Sequence, residues 1–460
     1  MTLARALALA LAAFSAPRPV LAHASERMVL QTLPTGYYIA GAGAAVALTA
    51  LVAALSGRLP AFVPHRLFIR PVLLGGQVTS WLSCVALFIL IAVGLWGSHD
   101  PLRNLLPLTV WTVIWVALTV ACALFGNLWR DLGPWRGPVR SLRATLGWRG
   151  AIGLARWAHW PAVARYLGFA WFEIVSLAPD SPAWLAKVVL GYWVLIFALA
   201  VAEGEDWLDQ GEFLTVYFAF IARIAPFWGQ EAGGRLSVMA GLPGTRVLAM
   251  PALPASGIAF VTLVLASVSF DGLAHSFWWL GRVGINPLEH PGRSAVTGIN
   301  SIGLLAVWAL SAATILATIA LGLRLAGAAD LRQRIGPLML AFLPIAAGYH
   351  IAHYLVALLT GGQYLVAALS DPLGRGWDLF GLGPHWVSFG FLADRSGVRA
   401  IWNAQFAVIL GAHLLAVILS LKLARNGDGG LPGRAHLPVT LLMVLYTCLG
   451  LWLLATPTAG

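Results

Sequence analysis

The sequence predicts an all-α bundle of transmembrane helices, and three observations carry that prediction. Hydrophobic residues fill 59% of the 460 positions, charged residues only 10%, and uncharged apolar runs of spanning length recur from one end to the other. A soluble domain carries about 25% charged residues to coat its surface. With a mean hydropathy of +0.81, this chain has apolar surface for far more than one core, and a lipid bilayer is its expected partner.

The first element is residues 1–22, MTLARALALALAAFSAPRPVLA. Arg5 gives a short basic region, the Ala/Leu stretch is too short to span, and Val20-Leu21-Ala22 matches a small-residue cleavage site. A removable signal peptide is expected here, with residues 23–460 forming one transmembrane domain. Cleavage leaves His23 first, on the outer side, where its α-amino group and imidazole together can chelate a metal such as copper. The plainer reading is that His23 is simply the residue after the cut.

Apolar runs near 37–56, 73–96, 105–128, 162–178, 184–203, 257–280, 300–323, 338–359, 401–423 and 437–456 each offer about 17–25 residues, enough for a hydrocarbon core of roughly 30 Å. An eleventh run, 213–228, is short, holds Arg223 and ends in Pro226. With the mature N-terminus outside, the loop after the third span lies inside. It carries Arg130, Arg136, Arg140, Arg143, Arg149, Arg156 and Arg165, as the positive-inside rule demands. The later basic connections (Arg324, Arg332 and Arg334; Lys422, Arg425 and Arg434) also fall inside only if 213–228 does not cross. The expected architecture is therefore about ten spans plus one re-entrant or interfacial helix, in a bacterial inner membrane. The acidic cluster Glu203, Glu205, Asp206, Asp209 and Glu212 reads as a solvated inner face, and the connections near 229–256 and 360–399 as surface segments.

The net charge of +11 does not mark a nucleic-acid binder, because the basic residues lie in short connections and no basic domain stands apart. Cys84, Cys122 and Cys448 each sit inside an apolar run without the clustering that a disulfide framework or cysteine metal site needs.

Ionisable residues inside spans are costly and usually face a bundle interior or cavity. Asp271 and His275 are four apart on one helix face; His350 and His353 are three apart, flanked by Tyr349 and Tyr354. Gln405 and His413 roughly share a face, and Glu173 stands alone among aromatics. In the ten-span threading Asp271, His275, His350, His353 and Glu173 lie in the outer half, with His413 near the middle. The expected site therefore has Asp271 and Glu173 as acid–base groups and His23, His275, His350, His353 and His413 as ligands of a divalent metal, zinc or copper. The alternative is that these histidines are interhelical hydrogen-bond glue and that Asp271 pairs with an arginine.

The segments His23-Ala24-Ser25-Glu26-Arg27, Leu33-Pro34-Thr35-Gly36-Tyr37-Tyr38, Asp100-Pro101-Leu102-Arg103-Asn104-Leu105-Leu106-Pro107 and Leu124-Phe125-Gly126-Asn127-Leu128-Trp129 resemble a bacterial family of polytopic membrane proteins labelled fenitrothion hydrolase. Ser267-Val268-Ser269-Phe270-Asp271-Gly272 and the Gln405–His413 helix are similar too. The resemblance implies hydrolysis of an apolar organophosphorus triester, releasing a nitrophenol. No serine lies in a G-x-S-x-G elbow, so a metal-activated water, with Asp271 as general base, is the expected route. Two rivals stay open: a transporter for a metal ion or small solute using the same groups as a relay, and a copper-dependent oxidase or monooxygenase. Whether a second membrane subunit completes the site is left open by the sequence.

Overall fold

In lipid an apolar backbone has to satisfy its own hydrogen bonds, and an isolated segment does so as an α-helix. The computed structural model describes residues 35–56, 59–72, 74–289, 292–328, 330–383, 385–425 and 433–458. In chain order its principal helices are α1 (Thr35–Ser56), α2 (Gly76–Trp96), α3 (Leu105–Phe125), α4 (Arg136–Leu146), α5 (Trp160–Ile174), α6 (Pro182–Glu203) and α7 (Phe213–Ile221). There follow α8 (Ala255–Ala274), α9 (Arg293–Leu325), α10 (Leu331–His353), α11 (Leu355–Ser370), α12 (Arg395–Arg425) and α13 (Leu437–Ala455). The protein is an all-α polytopic transmembrane bundle.

Among the described residues nine helices are long and apolar enough to cross a membrane: α1, α2, α3, α6, α8, α9, α10, α12 and α13. The expected span at 162–178 is α5, whose 15 residues rise only about 22 Å. The expected span at 338–359 is interrupted: α10 stops at His353 and α11 restarts at Leu355. Residues 360–370, expected in a surface connection, belong to α11 and pack against α3. The apolar windows of α8 and α10 are 83% and 78% enclosed, against 17–39% for the other seven. These two are the central helices, so their polar side chains meet protein rather than lipid.

Contacts between connections sort the bundle into two faces. On one, Arg136 pairs with Asp209 at 2.5 Å and Arg140 with Glu205 at 2.7 Å, tying the arginine-rich loop to the acidic cluster. On the other, Arg293 donates to the carbonyls of Glu173 and Ser176, and Phe277 N donates to Pro457 O. The short helix α7 begins and ends on the arginine face. Its nine residues rise about 14 Å, too little to cross, and Phe213, Val216, Tyr217, Phe218 and Ile221 are buried. It is a re-entrant helix packed inside the bundle. Glu212, expected on a solvated face, is instead fully buried. Its carboxylate caps α7 by accepting from Leu214 N and Thr215 N, and it accepts from Tyr192 OH at 2.5 Å. An acidic residue directly before an apolar run fits a helix N-terminus, where free N–H groups need an acceptor.

One feature has no counterpart in the helical reading. Strands β1 (His65–Pro71), β2 (Phe227–Ala232) and β3 (Arg235–Ala240) form an antiparallel sheet in the order β1-β3-β2. The β2–β3 hairpin turns on Gly233 and Gly234, both with positive φ (55° and 72°), the geometry that two-residue hairpins require. The sheet joins the α1–α2 connection to the segment after α7, so both lie on the arginine face.

Candidate functional site

Three helices that rise from the arginine face end close together at the other. Glu173 is the next-to-last residue of α5, Asp271 lies one turn before the end of α8, and His353 is the last residue of α10. Helix C-termini carry partial negative charge, so their convergence favours a protonated or hydrogen-bond-donating group among them.

Asp271 is the hub, only 9% exposed. His353 Nε2 lies 2.8 Å from its Oδ2, and Tyr354 OH, one residue further, lies 2.8 Å from the same oxygen. Tyr354 OH also lies 2.9 Å from Glu173 Oε1. His275 Nδ1 is 3.0 Å from the Asp271 backbone carbonyl and 3.6 Å from its Oδ1, and its ring is half-exposed at the rim. Four expected site residues, Asp271, His275, His353 and Glu173, are thus brought together, with Tyr354 as the link the sequence reading did not assign.

A tyrosine hydroxyl has one proton and therefore serves one acceptor at full strength. Both Tyr354 contacts are complete only when one of the two carboxyl groups carries a proton of its own. Asp271 already faces two donors, whereas Arg293 meets Glu173 only at its backbone carbonyl. The consistent inventory is Glu173 O–H donating to Tyr354, Tyr354 O–H donating to Asp271, and His353 Nε2–H donating to Asp271. Such a chain moves a proton by small shifts along bonds already made.

His350 goes elsewhere. It is fully buried, and its Nε2 lies 2.9 Å from the carbonyl of Trp115, which also accepts from Thr119 Oγ1 at 2.7 Å. Trp115 sits in a stretch of α3, Leu108–Ala117, wound as a π-helix. Such widened turns re-aim backbone groups, and here a carbonyl turns His350 away from its expected partner His353. His413 donates from Nδ1 to Ile409 O of its own helix, 2.9 Å away, and its Nε2 is buried without a partner among the described residues. His23 lies outside the described residues.

The expected metal centre was a single set of these ligands. Among the described residues no three His, Cys, Asp or Glu side chains form a group that could hold a metal ion. Asp271 is engaged by His353 and Tyr354 and His350 Nε2 by the Trp115 carbonyl, while His350 Nδ1 is buried without a partner among the described residues.

The polar groups around the hub continue along α8. Ser267 Oγ meets Tyr166 OH at 3.0 Å and Ser269 Oγ meets Tyr446 OH at 2.8 Å. The signal for this site was the sequence 267–275 itself, together with the Tyr-His-Ile-Ala-His-Tyr run at 349–354. Comparison of the chain with protein-family models, with curated proteins and with solved structures finds no match in any of the three.

Proposed function

We propose that the protein is an integral membrane hydrolase of apolar organophosphorus triesters, with the Asp271–His353–Tyr354–Glu173 network as its acid–base site. The observation that carries this reading is a buried carboxylate held between an imidazole and a tyrosine hydroxyl, one helical turn below a face of the bundle. The resemblance of segments 100–107, 124–129 and 267–272 to the fenitrothion hydrolase family supplies the substrate class. The arginine face is the cytoplasmic one by the positive-inside rule, so the site lies in the outer leaflet of a bacterial inner membrane, with the mature N-terminus on the same outer side.

A triester partitions into the bilayer and reaches the site at that depth. A water attacks phosphorus, the network takes one of its protons, and the aryl oxygen leaves with its bonding electrons as nitrophenolate. Removing the proton as the bond forms is worth typically 10²–10⁴-fold. Half-exposed His275 offers the proton a way to the surface. Purified protein in lipid nanodiscs, given a dialkyl nitrophenyl phosphotriester, should release nitrophenol, and Asp271→Asn should lower turnover at least 100-fold with the protein still folded. No release above a protein-free control, or full turnover by Asp271→Asn, would sink the reading.

A second reading rests on the helix break at Tyr354, between α10 and α11. Broken helices at a proton-bearing site are a transporter's device. Under that reading the same substitution abolishes proton-coupled solute flux in proteoliposomes while no ester is cleaved.

A further inference from the structure

Most acidic side chains of the arginine face already have partners. Asp209 and Glu205 pair with Arg136 and Arg140, Glu203 accepts from Ile152 N and Ala155 N, and Glu212 caps α7. Two arginines of that face are left over. Arg223 lies in the turn Ala222–Ile224 that follows α7, and Arg246 lies in the segment after β3. Both are half-buried, and neither forms an ion pair with a carboxylate among the described residues.

The fold brings the two together. Gly244 N donates to Ile224 O at 3.0 Å and Gly241 N to Pro226 O at 2.9 Å, fastening the segment 241–246 to the end of α7. Arg246 Nη1 makes only a long contact, 3.4 Å, to the carbonyl of Ala222, the neighbour of Arg223, and its guanidinium lies 5.8 Å from the centre of the Trp228 ring. Burial pushes the Arg246 guanidinium down to about 10, and the charge of Arg223 adds to the effect. The pair also has a defined depth. A Cβ built on Gly244 would lie 2.9 Å from Leu419 Cδ1, and Leu419 sits about 9 Å along α12 from its end at Arg425. That level is the lipid headgroup layer, not open solvent.

Two cations side by side and partly withdrawn from water are costly without an anion. Guanidinium groups match the oxygens of a phosphate with paired N–H donors, and basic pockets at this level attract phosphate-bearing headgroups. We propose that Arg223 and Arg246 form a phosphate-binding site at the end of α7, with a phospholipid headgroup as the bearer that its depth favours. A phosphate there neutralises both cations and ties the re-entrant helix to the segment after β3. The plainer alternative, that each arginine merely faces water, leaves unexplained why both are half-buried together. This site lies on the face opposite the acid–base network and does not depend on it.

The test uses no ester, so it stands whatever becomes of the hydrolase reading. Full-length protein, delipidated in detergent, is titrated with dioctanoyl phosphatidylglycerol, with inorganic phosphate, and with dioctanoylglycerol, which has the same chains and no phosphate. A ligand of the native state raises the melting temperature as it binds. The phospholipid should raise it and dioctanoylglycerol should not. Arg223→Gln and Arg246→Gln should each weaken the apparent affinity about tenfold, roughly the worth of one charge-assisted hydrogen bond. A rise with the phospholipid alone supports the headgroup as bearer. A rise with inorganic phosphate, lost in the same variants, supports the site with free phosphate as bearer. Without ligand, Arg223→Gln should melt at or above wild type, because a like charge is removed. Arg246→Gln also loses its contact with Ala222 O, so Arg223→Gln carries the test if that variant fails to fold. No rise with either phosphate compound, an equal rise with dioctanoylglycerol, a rise undiminished in Arg223→Gln, or a ligand-free Arg223→Gln protein that melts well below wild type would overturn the proposal.

Discussion

Glu173 and Asp271, carboxyl groups of two different helices, share one hydroxyl: Tyr354 OH lies 2.9 Å from the first and 2.8 Å from the second. The proton inventory places the extra proton on Glu173. Glutamine is neutral and keeps a donor at that position, so Glu173→Gln should melt within about 2 °C of wild type. Tyr354→Phe removes the hydroxyl shared by the two carboxyl groups, leaving Asp271 its His353 bond, and should cost on the order of 1–3 kcal/mol, with turnover reduced at least tenfold. Thermal unfolding in nanodiscs decides the matter. A Glu173→Gln protein less stable than Tyr354→Phe would place the proton elsewhere.

His350 provides the contrast. It is held by the Trp115 carbonyl and enclosed by aromatic rings, with Trp115 at 4.6 Å and Tyr354 at 4.7 Å between centroids. His350→Ala should therefore lose about 2–4 kcal/mol of stability through a lost hydrogen bond and a cavity. Turnover per folded molecule should stay within about threefold. Loss of turnover at unchanged melting temperature would return His350 to the chemistry.

The two faces of the bundle predict a labelling pattern. Cysteines introduced singly at Ser237 and Arg136 should react with an impermeant reagent from one side of an oriented membrane, and one at Arg375 from the other. Ser237 lies in the sheet, Arg136 pairs with Asp209, and Arg375 follows Asp371, which faces Arg103. Reaction of Ser237→Cys and Arg136→Cys from opposite sides would refute the re-entrant course of α7.

His436, in the short turn before α13, gives a pH signature. Burial pushes its imidazole down to about 4, and Arg425 adds to the effect. The unfolded chain, with a value near 6.5, takes up the proton first as pH falls. Stability is thus undiminished above about pH 6.5 and declines between there and pH 4, by on the order of 2 kcal/mol. His436→Gln should flatten that part of the stability–pH curve. An unchanged curve would mean that other groups set it.

Much of the bundle was legible because lipid permits so few backbone solutions. Apolar length located the nine long helices, and arginine placement kept α7 from being drawn as a full span. Asp271, His275, His353 and Glu173 were legible because charge is expensive at that depth. The division between His350 and His353 was not, since the widened turn that frees the Trp115 carbonyl has no mark in residue type. Glu212 was misread as solvated although its position before Phe213 fits a cap. The sheet was overlooked despite Gly233-Gly234, because a hairpin signal is faint beside long apolar runs. Asn104, in one of the segments that carry the family resemblance, proves structural. It is fully buried and binds Val93 O, Ser98 O and Leu106 N, joining α2 to α3.

The sheet also imposes an order on biogenesis. Arg70 of β1 pairs with Leu236 of β3, which the ribosome reaches only after several further helices. At about 5–20 residues per second that interval is on the order of ten seconds. Throughout it a nascent strand reading His-Arg-Leu-Phe-Ile-Arg-Pro waits with both edges bare, the condition under which strands of neighbouring chains join. Arg66 and Arg70 flank its apolar centre as charges that discourage such pairing. Replacing both with valine should increase aggregation during synthesis and leave the melting temperature of correctly inserted protein unchanged. Equal aggregation in the two proteins would show that the waiting strand needs no such guard.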